Sequence, residues 1–366
     1  MSTVRGSVVG LGFLVACGAG NSESGAGGAG SSGANGGGAS GPAAGGTGGD
    51  GGLGGFATGA GGLGGFASGG NSAVCQPGAG GSLPATDCAA SGIIIAPEFA
   101  SDYECVDLGE VLSLPPKWGG LTTKAGDTSR LLIGGSANTD AGALYEIGIH
   151  RDADCHVEAF SAAPPTLFSE AAYNDGGVVY GPGGVLFLAR WPVNEIGFLK
   201  PGSTATDKVI DTDPLGVAYS LAALNFVPTG FGNEGGLKFV AWPGGEFYSV
   251  AFAEDGMGTF DIDSVTYTRT LVGGPEGFVY IEAGNAQFPA NSMLVSEWSA
   301  NNISAYTVDE NGDPDVNSRR DFITGLQGAE GAFLDPVSGD FLFSTFATVN
   351  RVIAIRGFKP PPPVPQ

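Results

Sequence analysis

A five-bladed, all-β propeller is the fold this sequence predicts, on three observations. A two-strand unit recurs five times along the 366 residues, helical periodicity is nearly absent beyond residue 88, and a glycine-rich N-terminal segment cannot join a core. The clearest copy of the unit runs from Gly328 to Thr345. It reads Gly328-Ala329-Glu330-Gly331, the apolar Ala332-Phe333-Leu334, the turn Asp335-Pro336-Val337-Ser338-Gly339-Asp340, and a second strand from Phe341. Short strands of this kind joined by Pro/Gly/Asp turns form the inner half of a propeller blade.

Aligned on their small-residue pair, the copies begin at Gly119-Gly120, Gly176-Gly177, Ala222-Ala223, Gly277-Phe278 and Gly331-Ala332, at spacings of 57, 46, 55 and 54 residues. Second strands follow at Leu131–Gly135, Val185–Ala189, Leu237–Trp242, Met293–Trp298 and Phe341–Thr345. A period of this length with four short strands per unit means blades rather than a solenoid. The fifth unit lacks a fourth strand before the run Pro360 to Pro363. The segment Asp102 to Glu110 resembles the fourth strands at Asp207–Ile210, Tyr267–Leu271 and Arg319–Ile323, so it is expected to complete the last blade and close the ring. Six blades remain the alternative if the chain before Asp102 builds another.

Residues 1–17 read as a lipoprotein signal peptide. Arg5 precedes the apolar run Val8 to Val15, too short to span a bilayer, and Leu14-Val15-Ala16-Cys17 resembles a bacterial lipobox with Cys17 as the lipidated residue. Gly18, rather than Asp, after the cysteine favours sorting to the outer membrane. Residues 18–87 are a Gly/Ala/Ser-rich tether, including the near-duplicates Gly52 to Ala57 and Gly62 to Ala67, with too little apolar surface to offset backbone entropy. About 55 such residues reach roughly 40 Å. The propeller is assigned to residues 88–358 and a Pro-rich tail to residues 359–366.

The chain carries a formal charge of −22 and 67 glycines. An acidic surface of this kind excludes nucleic acid, whose binding needs clustered Lys and Arg. Beyond Cys17, the even set Cys75, Cys88, Cys105 and Cys155 reads as two disulfides in an exported protein. Spacing does not separate the three connectivities. The placement of Cys105 and Cys155 near the fourth strands of neighbouring blades makes Cys105–Cys155, with Cys75–Cys88, the expected pairing. A thiolate zinc site is the rival reading, opposed by the lack of any C-x-x-C pair and by two histidines, His150 and His156, that lie near Cys155 alone.

The run Ile303 to Asp315, with Ser318 to Phe322 and Gly328-Ala329-Glu330-Gly331, resembles the gluconolactonase and NHL-type propellers. Residues from about Trp118 to Phe358 look closer still to an uncharacterised group of exported bacterial propellers, some with a PEP-CTERM sorting tail where this chain has Lys359-Pro360-Pro361-Pro362-Pro363-Val364-Pro365-Gln366. The resemblance to gluconolactonases implies a divalent metal in the central channel, on acidic and Asn side chains near the starts of inner strands. The residue before the small pair holds that place: Trp118, Asp175, Leu221, Glu276 and Glu330. Three carboxylates, Asp175, Glu276 and Glu330, would then converge, and hard oxygens suit Ca²⁺ or Mg²⁺. The two apolar members depart from the full ligand set. The competing reading has these acids binding backbone amides or water at the channel mouth.

Other chemical patterns weaken on inspection. Asp309, Asn311, Asp313 and Asp315 alternate like a calcium loop, but Pro314 and Arg320 stand where an EF-hand needs Gly and Glu, and Asn311-Gly312 reads as a hairpin turn. No G-x-S-x-G or H-E-x-x-H occurs. Trp191, Trp242 and Trp298 end successive second strands, a repeat-packing position before a sugar platform. Two functions follow as expectations. One is a monomeric, surface-anchored propeller that binds a protein, glycan or small ligand without catalysis. The other is a metal-dependent, lactonase-like hydrolase in which the ion polarises a carbonyl.

Overall fold

The computed structural model describes Cys75 and residues 85–364. Three short strands come first: β1 (Thr86–Asp87), β2 (Ile94–Ile95) and β3 (Glu104–Gly109). The first blade comprises β4 (Leu121–Lys124), β5 (Asp127–Gly135) and β6 (Ala143–Arg151), with an outer strand in two pieces, β7 (Val157–Phe160) and β8 (Thr166–Glu170), each pairing part of β6. The second contains β9 (Asn174–Tyr180), β10 (Leu186–Arg190), β11 (Glu195–Leu199) and β12 (Lys208–Asp211). The third contains β13 (Ser220–Phe226), β14 (Leu237–Trp242), β15 (Glu246–Glu254) and β16 (Phe260–Thr270). The fourth contains β17 (Pro275–Ile281), β18 (Ser292–Glu297), β19 (Asn302–Thr307) and β20 (Arg320–Thr324), and the fifth β21 (Ala329–Leu334), β22 (Phe341–Thr345) and β23 (Val352–Arg356).

Five antiparallel sheets result, which settles the blade number at five among the described residues. As the sequence predicts, β3 closes the last blade, with Ile353 opposite Asp107 and Ile355 opposite Cys105. Two additions have no counterpart in the repeat: β1 extends the fifth sheet beyond β3, and β2 extends the fourth beyond β20. The edges that an open blade would expose are thereby covered.

The N-terminal strands also overturn the expected disulfide pairing. Asp87 lies opposite Val106 across β1 and β3, so the next residue, Cys88, comes beside Cys105 and bonds to it, while Cys75 bonds to Cys155 in the turn between β6 and β7. Strand register, rather than the fourth-strand positions of neighbouring blades, sets the partners.

Apolar residues alternate into the seams between blades. Phe187 packs edge-on against Phe198 and Phe226, with ring centroids 4.9 and 5.0 Å apart, and Phe99, Phe322, Phe288 and Phe358 gather between the fourth and fifth blades. Burial of each such ring is worth about 1.5–3 kcal/mol. Where first and last blades meet, charge joins the packing. Arg151 donates to both oxygens of Asp335 at 2.7 and 2.9 Å, and Asp340 accepts from the Val157 amide at 2.8 Å beside His156 Nδ1 at 2.6 Å. Gly339, at φ +81°, lets the turn between β21 and β22 fold back against the chain at Phe358 and Lys359.

The five inner strands meet at the axis through their small pairs. Gly120 donates to the Asp175 carbonyl at 2.7 Å, Gly331 approaches Gly120, and a β-carbon on Gly176 would overlap the Glu276 carbonyl. The glycines therefore form a waist where backbone packs on backbone across the axis. The space on one side of it is separated from the space on the other.

Candidate metal centre on the propeller axis

Inner and second strands pair regularly until they near the end of the blade where the inner strand begins. There the register slips: between Leu221 and Ala223 on β13, between Pro275 and Gly277 on β17, between Ala329 and Ala332 on β21, and in the matching stretch of β9. Each slip is a β-bulge, which re-aims a side chain. The residue at the slip is Ala222, Glu276, Glu330 or Asp175, so on the third blade the bulge falls one residue after Leu221. The small residues that follow permit the bulge, and the bulge directs the acids of three blades to a common point.

Asp175, Glu276 and Glu330 lie with one carboxylate oxygen each inside a span of 4.8 Å, at exposures of 0%, 7% and 1%. Both oxygens of Asp175, Oε2 of Glu276 and Oε1 of Glu330 are buried without a hydrogen-bond partner. Burial pushes the Asp175 carboxyl up to about 7, against the opposing pull of the neighbouring acids, Asn138 and the Gly176 amide. Asn138 and Gly176 lie close enough to favour the charged form without closing a hydrogen bond on either oxygen. Burial first, then repulsion from the other acids, drives Glu276 and Glu330 well above the usual carboxylate range.

Three buried acids cannot all ionise at this distance unless a cation joins them, because each charge costs several kcal/mol to desolvate. The arrangement can hold protons or a hard cation. Oxygens on opposite sides of Ca²⁺ stand roughly 4.6–5.2 Å apart, given Ca–O distances of 2.3–2.6 Å, so the envelope is wide enough for Ca²⁺. Asn138 lies beside Asp175, and its own Oδ1 is buried and unpartnered. It comes from the loop after β5, at a left-handed φ of +64°, and occupies no repeat position, so the repeat gave no signal for it.

The other two repeat positions do not contribute. Leu221 and Trp118 join the apolar cores beside the third and first blades. Trp191, Trp242 and Trp298 form an edge-to-face chain, with centroids 5.6 and 5.9 Å apart, and the Trp298 indole donates to the Phe346 carbonyl at 3.1 Å. These half-buried rings follow directly on the second-strand residues that pair with the inner strands just before the acids. They pack on one another, in the role their repeat position suggests.

The alternating acids after β19 are occupied otherwise. Asp309 accepts from the Asn311 and Asp313 amides and from Arg269, while Asp313 accepts from the fully buried Lys238. Asn311-Gly312 forms the turn, with Gly312 at φ +75°. His150 lies in β6 and His156 beside Asp340, both on the first blade. Cys17 lies outside the described residues, as do residues 1–74, and among the described residues no helix is long and apolar enough to cross a membrane.

The described chain is thus a five-bladed β-propeller with a carboxylate cluster on its axis. No protein-family model matches it, and no curated protein matches its sequence. Solved propellers are similar in fold. A gluconolactonase of Xanthomonas campestris, described as important in glucose secondary metabolic pathways, is 13% identical with a TM-score of 0.41, over 77% of this chain and 89% of that one. A putative gluconolactonase is 14% identical, with a TM-score of 0.38 over 73% and 87%. The virginiamycin B lyase of Staphylococcus aureus is 11% identical, with a TM-score of 0.37 over 69% and 99%.

Proposed function

We propose that the protein is an exported, lipid-anchored propeller that binds a partner or ligand without transforming it, and that its axial carboxylates hold one divalent cation, Ca²⁺ before Mg²⁺. The observation that carries the cation is the set of buried, unpartnered oxygens of Asp175, Glu276 and Glu330. An ion there joins the inner strands of the second, fourth and fifth blades, and so fastens the ring at its centre. The near-complete burial of the three acids leaves little access for a substrate, which favours a fastening ion over a reacting one. Two disulfides support export, since such bonds persist in oxidising compartments. Anchoring rests on the Cys17 lipobox, with the glycine-rich tether holding the propeller off the membrane.

A second reading, a metal-dependent lactonase-like hydrolase, draws on the residual exposure of Glu276, through which an ion would meet a carbonyl. Thermal melts with Ca²⁺, with Mg²⁺ and with chelator test the cation: added Ca²⁺ raises the melting temperature and chelator lowers it. A melt indifferent to all three contradicts the cation and the hydrolase together.

A further inference from the structure

Beyond the waist, away from the acids, the five inner strands splay into a vestibule of about 360 Å³. Its wall includes Thr122, Val178, Leu224, Phe278 and Phe333, one from each blade. No Asp, Glu, Lys, Arg or His lines it, in a chain whose formal charge is −22. Its remaining side comes from Pro361, Pro362 and Val364 of the C-terminal tail.

The tail crosses this opening as a strap. Its root is Phe358, buried against Tyr103 with centroids 4.4 Å apart, and the Lys359 amide donates to Asn285 Oδ1 at 2.8 Å. On the far side the Thr229 amide donates to the Pro363 carbonyl at 3.0 Å, and Val364 packs on the core of the second and third blades. Between these points the prolines have no N–H to donate and join no sheet. The strap is therefore held mainly at its two ends, by the Lys359 amide on Asn285 and the Pro363 carbonyl on Thr229, and pairs with no strand of a blade. A strap that merely filled space would leave no room beneath it.

We propose that this vestibule is a binding site for a small, uncharged, mainly apolar molecule, with residues 359–364 as its cover. The volume falls within the range of small-molecule pockets, about 300–1,000 Å³. The uncharged wall sets the ligand class, because a charged ligand would be desolvated with no counter-charge. The Thr122 and Thr123 hydroxyls provide a few polar points for orientation, whereas the Asn225 side chain is taken up by the Phe278 carbonyl and the Phe226 amide. The site lies across the waist from the cation and does not depend on it, so either can fail alone.

The test uses the full chain and the neutral fluorophore N-phenyl-1-naphthylamine, with the anionic 1-anilinonaphthalene-8-sulfonate for comparison. Ala332 lines the vestibule, so Ala332→Phe fills it, and Ala332→Met does so more gently should the first variant fail to fold. The expected result is saturable one-to-one binding of the neutral probe that survives chelator. Its affinity falls at least tenfold in Ala332→Phe, or threefold in Ala332→Met, and the sulfonate binds at least tenfold more weakly. A chain ending at Lys359 should take up the neutral probe several-fold faster. Absence of saturable binding by both the full and the shortened chain, unchanged affinity in a folded Ala332 variant, or equal binding of the two probes overturns the site. Unchanged uptake by the shortened chain overturns the role of the strap.

Discussion

Replacing the three axial acids by their amides, Asp175→Asn with Glu276→Gln and Glu330→Gln, should make the ion-free protein more stable at neutral and higher pH. Folding raises the pKa of Asp175 from 3.8 to about 7, so between those values the folded chain retains a proton that the unfolded chain has released. Stability of the ion-free protein therefore falls as pH rises through that window, and below it the acid makes no difference. At 1.36 kcal/mol per pH unit, Asp175 alone costs about 4 kcal/mol above pH 7. Glu276 and Glu330 shift in the same direction and add to it. Thermal unfolding in chelator across pH 4–8 is the assay. The triple amide should melt at least roughly 8–12 °C above wild type at pH 8, the share of Asp175 alone at about 2–3 °C per kcal/mol for a domain of this size, with the gap closing toward pH 4. Ca²⁺ at about 100 times its Kd should restore about 2.7 kcal/mol to wild type and nothing to the variant. A variant less stable than wild type in chelator at pH 8, or two parallel pH profiles, refutes the reasoning.

Gly176→Ala should cost about 3 kcal/mol in urea unfolding, because its β-carbon meets the Glu276 backbone rather than a side chain that can turn away; an unchanged midpoint would mean the waist is looser than described. Lys238→Met leaves Asp313 charged and buried and should destabilise by about 3–5 kcal/mol, most of it recovered in the double variant with Asp313→Leu. Recovery of none would show that the pair is not coupled. Cys17→Ser should release the protein from the membrane fraction and abolish palmitate labelling, whereas a wild-type protein that fractionates as soluble contradicts the anchor.

The fold and the acid cluster were legible for the same reason. In a closed propeller one repeat position maps to one ring around the axis, so the residue before the small pair marks Asp175, Glu276 and Glu330 from the sequence alone. Repeat logic could not show which members would turn inward. On the third blade the bulge falls on Ala222, one residue after the position that the small-pair alignment marks, and Leu221 and Trp118 join the cores. Asn138 escaped notice because it comes from a loop. The disulfides were misassigned because Cys88 is placed by the register of a two-residue strand, Thr86–Asp87, too short for any periodic signal. Likewise the strap of prolines has no sheet partner and no period, and only the structure shows where it docks.

Elemental analysis of the purified protein, before and after dialysis against chelator, bears most directly on the central claim of a cation fastened on the axis. One equivalent of calcium or another divalent ion per chain is expected, lost on chelation together with thermal stability and absent from the triple amide. A chain that carries no divalent ion when purified in its presence, and melts identically with and without chelator, would show that Asp175, Glu276 and Glu330 hold protons alone.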